Sequence, residues 1–361
     1  MGLNRTPIPN TIPSGNWSPV RTLLGARPPN TYDANGLDLL EVRNTTAGAN
    51  ELLAKYTYNS QHKPLTALDP AGKSTTFTYN ARGQVATITN PKNEFTTLTY
   101  DPRGYLTQVQ GAVAGATTTF TYDSSGRLAS ATPAGGAATN FEYDDMDRRT
   151  RVNYSDNTYE ETVYDLLDVS RVRDRSGKWT TMVHNALRQL EEIQDAEGRI
   201  TRLGWCGCGT LESLTDPMGR ITLWARDLQG RVVGKIFDDL TQTAYNYDTA
   251  GHLVQRTDPK GQTTSYAYFK DDNLKQVSYT NAQKPTPNVS YTYDANYNRL
   301  NSMTDGTGTT RFTYNPIGSA PALGAGRLAS VTSPMPNSTL TYGYDELGRV
   351  KVRGINGVTE T

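Results

Sequence analysis

The feature that most constrains this chain is a period of about 21 residues that runs along nearly all of it. The segments "YDPRG" at Tyr100, "YDSSG" at Tyr122, "YDTAG" at Tyr247 and "YDELG" at Tyr344 can be laid in register. Stepping from them places an anchor at Tyr32, Tyr58, Tyr79, Tyr100, Tyr122, Tyr143, Tyr164, His184, Trp205, Arg226, Tyr247, Tyr268, Tyr293, Tyr314 and Tyr344. From Tyr58 to Tyr268 every step is 20, 21 or 22 residues; the steps into Tyr58, Tyr293 and Tyr344 are longer, at 26, 25 and 30. Internal repetition of this regularity decides an architecture before any local signal does.

Each unit has one grammar. Two residues before the anchor sits a large apolar group, as at Phe77, Leu98, Phe120, Tyr245 and Phe312, and often a Thr stands two before that. Alternation with period two describes a strand with one buried face. After the anchor come Asp or Asn, two variable residues and usually Gly: Gly83, Gly104, Gly126, Gly230, Gly251 and Gly348. That is turn chemistry, in which the Asp or Asn side chain receives backbone N–H groups and Gly takes positive φ. A second strand follows, with apolar residues spaced i, i+3: Leu106 and Val109, Leu190 and Ile193, Leu211 and Leu214, Leu274 and Val277. Strict alternation would put these on opposite faces, and a recurring bulge would restore one. A second turn closes the unit, explicit as "DPAG" at Asp69, "DPMG" at Asp216 and "DPKG" at Asp258. The expected fold is therefore all-β, a long antiparallel strip of about fourteen or fifteen hairpin units with roughly thirty strands. A propeller with paired units as blades would need odd and even units to differ, and no such alternation is present.

The stretches "YDSSGRLASATPAGG", "YDTAGHLVQRTDPKG" and "YDELGRV" resemble the YD repeat of the RHS family, which also occurs in the C component of insecticidal toxin complexes and in teneurins. The resemblance covers residues 32–361. It implies a spiralling antiparallel β-hairpin strip and a partial shell, a continuous strip that encloses a C-terminal toxin or effector in bacterial members. The partners it implies are the remaining shell and the cargo of a parent protein. Cargo-bearing RHS proteins cleave themselves with aspartates near an Asp-Pro-x-Gly motif; here that motif recurs inside ordinary units, so this activity is not carried over. The chain ends inside a unit, which reads as a fragment of such a shell.

Residues 1–31, with "TPIPNTIPSG" and "RPPN", hold no repeat and read as a Pro-rich tail or linker, a cover for the first sheet edge. The last segment, "KVRGINGVTET", leaves the other edge open, and self-association through it is expected. No run approaches 18 apolar residues, so no membrane span is expected. With 36 basic and 36 acidic residues the net charge is zero, which gives no electrostatic reason for nucleic acid. The implied shell role points to a secreted or cell-surface protein, although the N-terminus lacks the apolar core of a signal peptide.

Sites with chemistry are scarce. The acidic pairs Asp144-Asp145, Asp238-Asp239 and Asp271-Asp272 fall in expected turns, and no nucleophile, phosphate-loop or His-Glu-x-x-His motif is present. Both cysteines lie in "GWCGCG", where Trp205 holds the anchor position and Cys206 the Asp position. A zinc site needs about four ligands, whereas Cys-x-Cys supplies two and the only histidines are His62, His184 and His252. A disulfide here is expected to be strained. The segment therefore reads as a variant turn with no metal, cofactor or redox role. The anchors Tyr58, Tyr79, Tyr100, Tyr122, Tyr143, Tyr164, Tyr247, Tyr268, Tyr293, Tyr314 and Tyr344 read as a buried core ladder. On that reading Tyr122→Ala costs about 3 kcal/mol or more. The competing reading is a carbohydrate-binding or adhesion module, with these aromatic rings as platforms for glycans.

Overall fold

The computed structural model describes residues 30–360 apart from 47, 48, 114, 319 and 321. The Pro-rich stretch expected to cover the first edge lies almost wholly outside the described residues. From β1 (Asn30–Tyr32) to β31 (Val358–Glu360), 31 strands form one antiparallel sheet. Each strand pairs with its sequence neighbours, as β8 (Leu106–Gln110), β9 (Thr117–Tyr122), β10 (Leu128–Thr132) and β11 (Thr139–Tyr143) illustrate. The expected hairpin strip is what forms.

The recurring bulge is present in all fifteen hairpins closed by an anchor turn. Between β9 and β10 the register runs Tyr122↔Leu128 and then Thr121↔Ser130, so Ala129 is the extra residue. Two residues against one turns the strand by half a pleat. That brings the i, i+3 pairs to one face: Leu106 opposes Tyr100 and Val109 opposes Leu98.

Pairing between units is shorter than pairing within them. Strands β8 and β9 share three register pairs, from Gln110↔Thr117 to Gln108↔Thr119, and the ladder stops short of Leu106. The strands are thus held at the second turn and released beside the anchor. The anchor side chain fills the gap, as described below.

The buried face is thinner than the sequence suggests. Among the described residues six apolar side chains are buried, including Ala67, Phe120, Val152 and Val277, and no large side chain is fully enclosed. The anchor tyrosines are half-buried, not a buried core ladder. The physical reason is that the strip is a single layer, and a sheet reaches deep burial only where a second layer covers it.

Candidate functional site

Two features of the strip stand out above ordinary hairpin structure: the rim formed by the anchor turns, and the line where this rim meets the opposite one.

Thirteen of the fifteen anchors, all but Tyr32 and His184, donate to a carbonyl that the backbone ladder leaves free. Tyr122 Oη–H bonds to the carbonyl of Leu106 at 2.9 Å, Tyr143 to Leu128 at 2.9 Å, and Tyr247 to Val232 at 2.9 Å. All eleven anchor tyrosines from Tyr58 to Tyr344 make the equivalent bond. The residue type changes at three anchors, and at two of them, though not at His184, the donor persists. Trp205 Nε1–H bonds to Leu190 O at 2.8 Å, and Arg226 bonds to Leu211 O at 3.3 Å. The slot therefore selects a long side chain with a terminal donor, and Tyr is its commonest occupant. Burial raises the Tyr122 hydroxyl's pKa, as expected for a phenol held on a carbonyl in a dry wedge.

In several units the residue five positions after an anchor covers the ring of the next. The Arg127 guanidinium lies 5.0 Å from the Tyr143 ring centre, Arg148 4.0 Å from Tyr164, and Arg231 4.7 Å from Tyr247. Tyr105 stacks on Tyr122 and His252 on Tyr268, both at 4.8 Å between ring centres. Arg127 Nε also donates to Asp123 at 2.7 Å, and this bond is the leading cause that holds the Asp123 carboxyl below its ordinary range. The Arg of "YDSSGR" is thus a functional position that the repeat pattern displayed without revealing its role.

The turn glycines sit where expected. Gly83, Gly104, Gly126, Gly230, Gly251 and Gly348 all have positive φ, from 71° to 95°. Each donates its N–H to the carbonyl of the turn's Asp or Asn, as Gly126 does to Asp123 at 3.1 Å. The acidic pairs lie in turns as well: Asp144 caps Met146 and Arg148, and Asp239 caps Thr241. Among the described residues no group of three or more His, Cys, Asp and Glu side chains is placed to hold a metal ion.

The cysteines require a correction. Cys206 does take the Asp slot, and the turn closes normally, with Cys206 N to Thr210 O at 3.0 Å and Gly209 N to Cys206 O at 2.9 Å. But Cys206 and Cys208 are joined as a disulfide. The expectation of strain counted only the short separation; this turn brings the two Cα atoms to 5.2 Å, within the ordinary span for such a bond.

The second feature is a seam, because the strip winds back onto itself. The turn between β2 (Leu39–Asn44) and β3 (Glu51–Tyr58) meets the turn between β25 (Val289–Tyr293) and β26 (Leu300–Asp305): Tyr297 donates its hydroxyl to Glu51, which also accepts from Asn44 at 3.0 Å. Burial and the Glu51 carboxylate push the Tyr297 pKa up to about 12. Next, the turn between β4 (Pro64–Leu68) and β5 (Ser74–Tyr79) faces the loop between β27 (Gly308–Tyr314) and β28 (Leu328–Thr332). They enclose a cavity of about 300 Å³ lined by Pro70, Ala71, Ile317 and Ala325 among others. Finally, Lys92, between β6 (Val85–Thr89) and β7 (Phe95–Tyr100), pairs with Asp345 at 3.5 Å and Glu346 at 3.6 Å, between β29 (Thr339–Tyr344) and β30 (Val350–Ile355). From β2–β3 to β25–β26, from β4–β5 to β27–β28 and from β6–β7 to β29–β30, each contact spans 23 strands. Asn44, Ile317, Ala325 and Asp345 are buried here, in a molecule with few buried residues. Sequence reading missed the seam, but a signal existed: the 26-residue step into Tyr58 and the 30-residue step into Tyr344 carry the segments 45–50 and 315–327 that bracket it.

The family profile described as "RHS Repeat" matches residues 58–94, 79–112, 100–138, 122–159 and 247–284. None of the curated proteins matches the chain. Among solved structures, the crystal structure of TcdB2-TccC3 without hypervariable C-terminal region aligns with a TM-score of 0.66 at 16% identity, over 90% of this chain and 22% of that one. The crystal structure of TcdB2-TccC3-Cdc42 aligns with a TM-score of 0.63 at 16% identity, over 84% of this chain and 20% of that one. The Photorhabdus luminescens Tc holotoxin pore carrying the mutation TccC3-D651A gives 0.62 at 16%, over 84% and 20%. The chain thus spans about a fifth of the length of the chains it matches, and the likeness is one of fold.

Proposed function

We propose that this strip, which matches the RHS repeat profile over residues 58–159 and 247–284, is a length of wall in a hollow shell that keeps a cargo polypeptide apart from its surroundings. The observation that carries this reading is the seam. A flat strip encloses nothing, whereas a strip that meets itself after 23 strands bounds a space. At about 4.8 Å per strand the perimeter is roughly 110 Å and the width roughly 35 Å, which leaves room for a polypeptide inside the lining side chains. The role is structural: the rim residues are occupied with holding carbonyls and rings, and the activity lies in exclusion. The similarity to Tc toxin complexes supports a cargo of toxin or effector type and an exported parent protein.

The carbohydrate-binding alternative is disfavoured by the anchors themselves. Their hydroxyls are bonded and many of their faces are covered by Arg, His or Tyr, so the repeating aromatic column offers few free platforms. Protease protection tests the proposal. In the parent protein the cargo segment should resist digestion with the seam intact and become sensitive in a Lys92→Glu variant. A cargo equally sensitive in both, with the shell folded, rules enclosure out, and a glycan-array signal that disappears with Tyr→Phe anchors would favour the alternative.

A further inference from the structure

The disulfide turn differs from its neighbours in a way that points to chemistry. In ordinary rim turns one carboxylate oxygen receives two backbone N–H groups: Asp144 from Met146 and Arg148, both at 3.0 Å, and Asp227 from Gln229 and Arg231, both at 3.0 Å. The turn is thus a small cradle for an anion at the position after the anchor. At Cys206 a sulfur lies in that cradle. The Cys208 N–H donates to Cys206 Sγ at 3.2 Å, and the Thr210 hydroxyl lies 3.3 Å from both sulfurs. One of the two N–H groups that face a carboxylate elsewhere, that of the second residue on, faces a sulfur here, and together with the Thr210 hydroxyl it favours the thiolate form.

The bond has little structural work to do. Cross-links stabilise more the longer the loop they close, and this one spans a separation of two residues. The backbone bonds that define the turn are present independently of it. Cys208 is exposed and Cys206 half-buried. Within the described residues, the seam covers anchor turns only from β25 onward, so this turn, between β17 (Ile200–Trp205) and β18 (Leu211–Thr215), stands on the free rim.

We propose that Cys206 and Cys208 form a thiol–disulfide exchange site that reacts with low-molecular-weight thiols of the glutathione class. The incoming thiolate attacks the exposed Cys208 sulfur. A mixed disulfide forms there, the Cys206–Cys208 bond breaks, and its electron pair leaves as the Cys206 thiolate in the cradle of N–H and hydroxyl donors. A second small thiolate then attacks its counterpart in the mixed disulfide and leaves as the small-molecule disulfide. The Cys208 sulfur departs as a thiolate and takes a proton from water. Two electrons pass from two small thiols to the protein disulfide. In reverse, the Cys206 thiolate resolves a mixed disulfide on Cys208 and re-forms the bond.

The test uses the full chain and glutathione. Brief treatment of the oxidised protein at neutral pH, with acid quench and peptide mass mapping, should place one glutathione on Cys208, followed by loss of the bond. After complete reduction, the pH dependence of iodoacetamide alkylation should have its midpoint at least about one pH unit lower for Cys206 in Cys208→Ser than for Cys208 in Cys206→Ser, whose thiol should titrate near the ordinary value of about 8.5. Cys206→Asp restores the ordinary turn and should keep the wild-type circular dichroism spectrum and melting temperature, which separates exchange from folding. A disulfide untouched by excess glutathione, glutathione captured on Cys206, or a Cys206 midpoint at or above that of Cys208 would overturn the proposal.

Discussion

Tyr122 shows what a single anchor contributes. Its hydroxyl satisfies the Leu106 carbonyl, which the ladder between β8 and β9 does not reach. Tyr122→Phe should therefore cost about 1 kcal/mol, the usual net value of one hydrogen bond whose acceptor is left poorly solvated. Tyr122→Ala should cost about 2 kcal/mol, below what a buried ring would give, since the ring is half-buried. Urea unfolding of the two variants checks both, and a Phe variant as stable as wild type would show that water takes over the carbonyl. His252 makes a different point at the same scale. Its ring bonds Asp248 at 2.9 Å and Asp272 at 3.1 Å, and the Asp248 bond is the leading cause that raises its pKa above the ordinary histidine value. A raised folded-state pKa means that the stabilisation is complete below about pH 6.5, the unfolded value, and fades as pH rises through the folded one. NMR titration should find the His252 midpoint above 6.5, falling in Asp248→Asn. The role of Asp and Arg in the rim was only partly legible beforehand: turn preference marks Asp123, but the stacking of Arg127 on Tyr143 is a contact between units that no single repeat contains.

At the level of the hairpin, the bulge was the most legible element of all. Spacing of i, i+3 in a strand has few physical explanations, and Ala129 is where the register shifts. Deleting Ala129 should swap the faces of the residues beyond it, and hydrogen exchange in β9, β10 and β11 should rise steeply while distant units keep their protection, because contacts in repeat arrays are to nearest neighbours. The turns permit a sharper comparison. Gly126 and Gly230 both have positive φ, at 83° and 81°, but a Cβ at Gly126 would run into the Tyr105 hydroxyl and ring, whereas at Gly230 nothing lies within 4 Å. Gly230→Ala should cost about 1 kcal/mol from backbone conformation alone. Gly126→Ala should cost more, since Tyr105 must leave its stack on Tyr122. Equal melting temperatures for the two variants would show that Tyr105 moves freely. Burial was the least legible property: alternation reveals that a strand has an apolar face, but not whether anything packs on it.

The winding of the whole strip belongs to no single unit: the resemblance implied that the strip spirals, but the repeat spacing does not reveal after how many strands it meets itself. It is nevertheless simple to check. A zero-length carbodiimide cross-link should join Lys92 to Glu346 or Asp345, residues more than 250 positions apart in sequence, and the product should disappear in Lys92→Arg. Monomeric protein without that product would mean that the strip is open in solution. The count of 23 strands has a further consequence. A repeat contributes two strands, so one circuit contains eleven and a half repeats and is never a whole number of them. Rim therefore always meets the opposite kind of rim, as thread meets groove in a screw, and never its own copy. Whole repeats can be added to such a thread without disturbing how it mates, and each merely advances the contact by one tooth. The gain or loss of a lone strand would instead set like against like along the whole circuit that straddles it, so the structure holds evolution to changes in even steps.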